Sequence, residues 1–316
     1  MSRALLSAKG IRRAFGQQAV LAGIDIALEA GEFLVILGPS GCGKTTLLNV
    51  LAGFDQDAEF DLLELDGAPI LGPTSDIAVI FQDDNLFPWY TLEQNLAFGS
   101  RVRRLPAAVR QPLLCRYIES FGLQGLERKF PDQLSGGQRQ RAAVARALIN
   151  EPKLLLADEP FRALDSRTRL LSQTFLWREI KHREQTLCLI THDLDEALLL
   201  GDRVLILGGP PTQVRGSFTV NLPSPRNPSL LLTPVFYGEK QRLVEYCSSL
   251  GLPLFPADPG GAAQVQAAGV QAAQAPETQV QAAEAQAAQA PEIQAQAAEA
   301  QAALAPEAQA PETGRR

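Results

Sequence analysis

Phe33-Leu-Val-Ile-Leu37 runs without a break into Gly38-Pro39-Ser40-Gly41-Cys42-Gly43-Lys44-Thr45-Thr46. The apolar run has the length and continuity of a strand buried on both faces. The glycine-rich stretch fits GxxxxGK[ST] with a strand before it and a helix after it. Glycines at this spacing let successive backbone N–H groups turn inward and cradle phosphate oxygens. A helix starting near Lys44 adds the positive end of its dipole to the same cradle. Lys44 reaches the β- and γ-phosphates of a nucleotide, and the Thr45 hydroxyl is placed to ligate Mg²⁺. The helix continues through Leu47–Ala52 and stops at Gly53, which suits a C-cap. The bland alternative, a glycine-rich turn with no ligand, leaves the strand, the spacing, the lysine and the threonine unexplained together.

Moving outward, short apolar runs recur at Ile77–Ile80, Leu154–Ala157, Leu187–Ile190 and Val204–Leu207. Alternation of such runs with helix-like stretches predicts an α/β fold. Leu92–Phe130 is rich in helix formers and has no comparable run, so it reads as a helical subdomain inserted in the α/β core. Three of the runs end in polar residues suited to phosphate, metal or water: Gln82 after Phe81, Asp158-Glu159, and Thr191-His192-Asp193. Asp158 can hold a metal ion, and Glu159 can polarise an attacking water. Ligands of open α/β sheets sit beyond the carboxyl ends of the strands, so these loops and the phosphate loop are expected to converge on one crevice. Standing alone, Asp158-Glu159 would read as an acidic turn and His192 as a capping or core histidine. Their placement at strand ends favours the site. His182 reads as part of a solvated helix face.

Leu134-Ser135-Gly136-Gly137-Gln138-Arg-Gln-Arg141 stands shortly before Asp158. Here the chain resembles the ATP-binding cassette (ABC) ATPases, whose signature is LSGGQ. Ser135 and the Gly136-Gly137 amides lie ahead of an expected helix, Gln138 to Ile149, and form a second anion site at a helix N-terminus. The resemblance implies a P-loop NTPase cassette that binds ATP and Mg²⁺. It also implies that two copies pair head to tail, so that Ser135, Gly136, Gly137 and Gln138 of one copy cover the nucleotide on the other's phosphate loop. Serine and helix dipole would then stabilise γ-phosphate charge, the task of an arginine finger elsewhere. By the same resemblance Phe15 matches the aromatic that stacks on adenine, its alternative being an ordinary strand aromatic. Gln82 matches the glutamine that senses Mg²⁺ and the attacking water. Asp165, in Ala163-Leu164-Asp165, matches the loop that touches the partner. Lys44, Thr45, Asp158, Glu159 and His192 fall on the catalytic positions.

The stretch Ile80–Gly99, with Leu65–Pro73, Pro160–Asp165 and Ile190–Ala197, is similar to the nitrate/taurine/alkanesulfonate importer type, nearest to its taurine-importing branch. That type implies an ATP-hydrolysing subunit on the cytoplasmic face of the membrane. Its partners would be transmembrane permease subunits and, through them, a solute-binding protein. Gln82–Phe98, with Leu86, Phe87, Trp89 and Tyr90, is the expected permease-facing surface; the alternative packs Phe87 and Trp89 into the helical subdomain. Soluble ABC ATPases of DNA repair or translation are the alternative function. They usually carry a zinc module, a coiled coil or tandem cassettes, and none is visible here. Two departures stand out. Arg162 occupies a position usually held by glycine beside the partner-contacting loop, and Asp61 lies near another such position. Neither is expected to touch a catalytic group. Cys42 reads either as a thiolate favoured by the helix N-terminus or as an inert small residue in a tight loop.

Composition bounds the rest. The 316 residues carry a net charge of −6, which argues against a nucleic-acid partner. No apolar run reaches ~18 residues, so no transmembrane helix is expected, and no signal peptide is visible at the N-terminus. Cys42, Cys115, Cys188 and Cys247 are scattered without a CxxC pair, excluding a zinc ribbon or disulfide scaffold. From Ala263 onward the chain is almost all Ala, Gln, Glu and Pro, with a 15-residue repeat beginning at Gln271 and Gln286. Pro276, Pro291, Pro306 and Pro311 interrupt any long helix, and too little apolar surface is present to offset chain entropy. The expected plan is thus a cassette at 1–222 with its helical subdomain at about 92–150, a C-terminal extension at 223–258, and a disordered low-complexity tail at 259–316.

Overall fold

The computed structural model describes residues 4–82 and 86–252. The repeat tail lies outside the described residues, as do the end of the C-terminal extension and Asn85 of the expected permease-facing stretch. The chain opens with β1 (Leu6–Phe15) and β2 (Gln18–Leu28), then β3 (Phe33–Leu37) and α1 (Lys44–Leu51). Next come β4 (Leu62–Leu65), β5 (Ala68–Pro69) and β6 (Ile77–Ile80). A helical stretch comes after them: α2 (Leu92–Val102), α3 (Ala107–Ser120), a 3-10 turn at Pro131–Gln133 and α4 (Gly136–Leu148). The chain then returns to alternation with β7 (Leu154–Asp158), α5 (Ser166–His182), β8 (Thr186–Thr191), α6 (Leu194–Leu200) and β9 (Arg203–Gly208). It closes with β10 (Gln213–Thr219), a 3-10 turn at Pro228–Leu232 and α7 (Pro234–Ser249).

All five uninterrupted apolar runs are strands, and they lie in one six-stranded sheet of order β10-β9-β3-β8-β7-β6. β9, β3, β8, β7 and β6 are parallel neighbours; β10 closes the edge antiparallel to β9. Successive residues of each central strand feed opposite cores. Phe33, Val35 and Leu37 pack with the helices, whereas Leu34 and Ile36 pack with α1 and a second sheet. Leu155 and Ala157 divide from Leu154 and Leu156 in the same way. A strand covered on both sides has no polar face to show, so its sequence reads as one apolar run.

The second sheet, of order β2-β1-β4-β5, is antiparallel. No uninterrupted run marks it. β2 buries Leu21, Ile24, Ile26 and Leu28 and exposes residues between them, the alternation of a sheet solvated on one face. Between β6 and β7 the described elements are all helical, α2, α3, the 3-10 turn and α4, where the sequence predicts an inserted helical stretch. α7 belongs to the extension after residue 222, yet its Phe236, Leu243 and Cys247 join the core on the helical side of the main sheet. No helix among the described residues is long and apolar enough to cross a membrane.

Candidate functional site

Strand register sets the site. Leu37 of β3 pairs with Thr191 of β8, Ile190 pairs with Asp158 of β7, and Ala157 pairs with Ile80 of β6. The four carboxyl ends therefore lie side by side. Gly38, His192, Glu159 and Gln82 leave the same edge of the sheet within two residues of those pairs. This is the convergence expected from the sequence.

In the phosphate loop, Gly41 and Gly43 take φ of 78° and 95°, the region glycine tolerates. A Cβ on Gly43 would also stand 2.7 Å from Val20 Cγ1. The loop thus wraps tightly over the start of α1. Lys44 is buried, and its ammonium donates to the carbonyls of Gly38 at 2.8 Å and Pro39 at 2.9 Å. Its charge is folded back onto the loop that would surround a phosphate. Burial raises the Asp158 carboxyl above its ordinary value. Glu159 pushes it the same way, while Thr45 and Lys44 act against the rise. Cys42 departs from the thiolate reading. Burial raises its thiol, outweighing the lowering by Lys44, because the loop removes the sulfur from water more than the helix end compensates.

Glu159 is the most constrained residue of the group. Its φ is 41°, a left-handed conformation costing a non-glycine residue roughly 1 kcal/mol. Its N–H donates to Ile190 O at 2.9 Å and its own C=O accepts from Arg162 N at 3.2 Å. The side chain is nearly buried. Oε1 lies 3.0 Å from His192 Nδ1, and Oε2 accepts from Arg162 Nη1 at 3.1 Å. The second contact overturns the expectation that Arg162 touches no catalytic group. The turn after Glu159 brings position 162 back over the carboxylate at an i,i+3 spacing. Asp61 keeps to the expectation, pairing with Arg12 at 3.2 Å at the exposed edge of β1.

Behind His192, Asp193 caps α6 by accepting from Asp195 N at 2.8 Å and Glu196 N at 3.1 Å. Glu196 lies three residues after the cap, where an exposed first-turn acid is the ordinary reading. Instead it turns inward and accepts from Gln173 Nε2 at 3.1 Å. Burial pushes its carboxyl up to about 7, against the bonds from Thr191 and Gln173.

Ser135 caps α4 in a capping box. Its Oγ accepts from Gln138 N at 3.3 Å while Gln138 Oε1 accepts from Ser135 N at 2.9 Å. The helix begins two residues before the expected Gln138, so Gly136 and Gly137 form its first turn and their N–H groups point out of the helix end. A Cβ on Gly137 would stand 2.8 Å from Thr168 Cγ2, so glycine is what lets this end sit against α5. Asp165 caps α5, accepting from Thr168 N at 3.0 Å, and that bond lowers its carboxyl. Ser135, Gly136, Gly137, Asp165, Thr168 and Ser172 line one hollow. No phosphate-loop residue lines it. The candidate residues therefore fall into two groups within one copy of the chain.

Phe15, at the end of β1, is 53% exposed, with the Arg13 guanidinium 4.4 Å from the ring centroid. One broad aromatic surface is thus held near solvent beside the strand pair. In the stretch after Gln82, Trp89 is exposed, while Phe87 packs between Phe98, Trp89, Tyr90 and the Arg146 guanidinium. The two readings of this cluster divide by residue: Phe87 packs in, Trp89 faces out. Asn95, fully buried, holds the segment by accepting from Phe87 N at 2.8 Å and donating to Tyr90 O at 3.0 Å. Phe87, Phe98, Val79, Val102 and Arg146 line a groove between β6 and α2.

Sequence reasoning missed Asn95, Arg162 and Glu196. Asn95 sits in a helix with no local signal. Arg162 stands out in the sequence only as a departure from glycine beside the partner-contacting loop, with nothing to show its reach to Glu159. Glu196 carries no sequence signal beyond its place in the Ile190–Ala197 stretch.

A sequence model described as ABC transporter matches residues 21–162. The aliphatic sulfonates import ATP-binding protein SsuB 2 of Burkholderia cenocepacia is 40% identical over 76% of this chain and 86% of its own length. A bicarbonate transport ATP-binding protein, CmpC of Synechococcus elongatus, is 40% identical over 72% of this chain but only 34% of its own. Among solved structures, the dimeric post-hydrolysis state of the ATP-binding cassette MJ0796 bound to ADP and Pi has a TM-score of 0.57 and 27% identity. It covers 69% of this chain, and this chain covers 99% of it.

Proposed function

The chain belongs to the ABC transporter family, and from that premise we propose that it is the ATP-hydrolysing subunit of an importer for a small anionic solute such as a sulfonate, taurine or nitrate. The observation that carries the reading is the split of the candidate residues into two groups. Phosphate loop, Asp158, Glu159, Gln82 and His192 share one sheet edge, while Ser135, Gly136 and Gly137 open a second anion site with no phosphate loop in it. One nucleotide needs both, and a second copy turned head to tail supplies the missing half. The dimeric cassette among its structural relatives supports that arrangement.

In the proposed site the amides of Gly38–Thr46 and the first turn of α1 bind the phosphates of ATP. Lys44 leaves the carbonyls of Gly38 and Pro39 for the β- and γ-phosphate oxygens. Phe15 stacks on the adenine. Glu159 takes a proton from the attacking water at one carboxylate oxygen, with His192 holding the other. The partner's signature turn, with Ser135 and its helix end, faces the γ-phosphate, and the Asp165 loop meets that partner. The Thr45 hydroxyl, close enough to influence the Asp158 carboxyl, and that carboxylate are hard oxygen donors of the kind that suit Mg²⁺, with Gln82 leaving the adjacent strand end. When bound, the ion neutralises charge on the phosphates.

The cassette is taken as residues 1–222, with 223–258 an extension and 259–316 a tail. The groove between β6 and α2, with exposed Trp89 at its edge, is proposed to receive the permease, which places the subunit peripherally on the cytoplasmic membrane face. A solute-binding protein would act through that permease. Glu159→Gln tests the reading. The amide cannot accept the proton, so ATP binding persists, turnover collapses, and an ATP-bound dimer accumulates on gel filtration. Near-normal hydrolysis by this variant removes Glu159 from the role.

A further inference from the structure

Among the described residues, Arg162 is the one that bonds the Glu159 carboxylate and that the proposed chemistry does not use. Glu159 has little access to water: its side chain is 10% exposed, and each oxygen already has a partner, His192 Nδ1 on Oε1 and Arg162 Nη1 on Oε2. The guanidinium is not there by drift. Arg162 N donates to Glu159 O at 3.2 Å, and Arg169 bridges the turn from the other side, donating to Phe161 O at 3.3 Å and Leu164 O at 3.0 Å. The backbone beneath the side chain is therefore fixed, and the reach to Oε2 results from it. Glu159, Arg162, Arg169, Thr191 and His192 enclose a small cavity together.

We propose that Arg162 is a positioning residue that restrains Glu159, holding Oε2 by a charge-assisted hydrogen bond so that this oxygen takes a proton from water faster when the Arg162 contact opens. The inference rests on the reading of Glu159 as the base. Both partners are about half exposed, Arg162 at 54% and His192 at 48%; Arg162 is the longer and more freely rotating side chain, so its head can swing away and hydrate while its stem stays in place. Each turnover then carries the strength of this pair in its barrier. Pairs exposed on one side are worth ~0.2–1 kcal/mol, so removing the guanidinium speeds the chemical step by up to about five-fold. Nucleotide affinity is left alone, because Arg162 touches no residue of the phosphate loop.

The test compares the steady-state ATPase of the full chain with Arg162→Gly and Arg162→Lys, each also made on Glu159→Gln. Arg162→Gly is expected to raise kcat about two- to five-fold with KM for ATP unchanged. Arg162→Lys, which keeps a cation within reach of Oε2, returns kcat toward the parent value. On Glu159→Gln, Arg162→Gly brings no gain, because nothing is left to release. A kcat in Arg162→Gly equal to or below the parent overturns the restraint, as does a gain confined to KM or one that persists on Glu159→Gln. If Glu159→Gln itself turns over normally, the assignment of the base fails and the restraint with it. An inactive Glu159→Gln beside an unchanged Arg162→Gly removes the restraint alone.

Discussion

Glu196 makes stability depend on pH in a way that can be worked from its surroundings. Its carboxyl is buried behind the His192 loop and pushed up to about 7 from an ordinary value of 4.5, chiefly by desolvation. A group whose folded value is raised contributes stability that is fully present below its unfolded value and lost as pH rises through the folded one. The window here is about pH 4.5 to 7. Each pH unit of the gap is worth about 1.4 kcal/mol, so complete ionisation costs about 3 kcal/mol. Glu196→Gln keeps the volume and can still meet Gln173 and Thr191, but never ionises. Its stability relative to the parent should grow by about 2–3 kcal/mol between pH 5 and pH 8, or about 5–10 °C in melting temperature for a chain of this size. Thermal melts of both proteins across that range read the difference. A melting-temperature gap that stays constant with pH would show that Glu196 ionises as freely in the folded chain as in the unfolded one.

Other consequences come from single contacts. Burial raises the Cys42 thiol, so alkylation at pH 7 should be slower than that of a free thiol, quicken as pH rises, and be blocked by ATP; fast labelling at pH 7 contradicts the burial. Arg226 is buried and donates to the carbonyls of Leu198, at 2.9 Å, and Gly201 at the end of α6, with Asp202 at 3.8 Å. Arg226→Met should cost about 3 kcal/mol in denaturant unfolding by leaving those groups without a partner, and a loss under 1 kcal/mol, roughly the worth of one net hydrogen bond, would show that water replaces it. Truncation after Asp258 should leave nucleotide binding and turnover unchanged, because the tail's composition offers almost nothing to dock; an ATPase rate altered several-fold would make the tail regulatory.

The parts legible in the sequence are those whose chemistry is local. The phosphate loop needs its glycines for positive φ and close approach at Gly43, so the motif and the geometry are one statement. Strands β3, β6, β7, β8 and β9 are covered on both faces, and that cover is what makes them readable as apolar runs. The antiparallel sheet was not legible in the same way: β2 alternates, and β4, which pairs with β1, is separated from it in sequence by β2, β3, the phosphate loop and α1. The grip of Arg162 on Glu159 depends on a left-handed residue at 159 folding the chain back. Nothing in the spelling Asp158-Glu-Pro-Phe-Arg162 announces that. The inward turn of Glu196 depends on Gln173, which comes from another helix, so no local pattern announces it.

The central claim is that one copy holds half of a site and a second copy the other half. It is tested most directly by the specific ATPase rate of the purified chain as it is diluted, with oligomeric state tracked by light scattering. Rate per mole should fall as dimers dissociate. Ser135→Arg should bind ATP through its intact Lys44 and Thr45 yet show neither hydrolysis nor ATP-driven pairing at any concentration. A specific rate that stays constant down to concentrations where only monomer scatters would mean that a single chain completes the reaction alone.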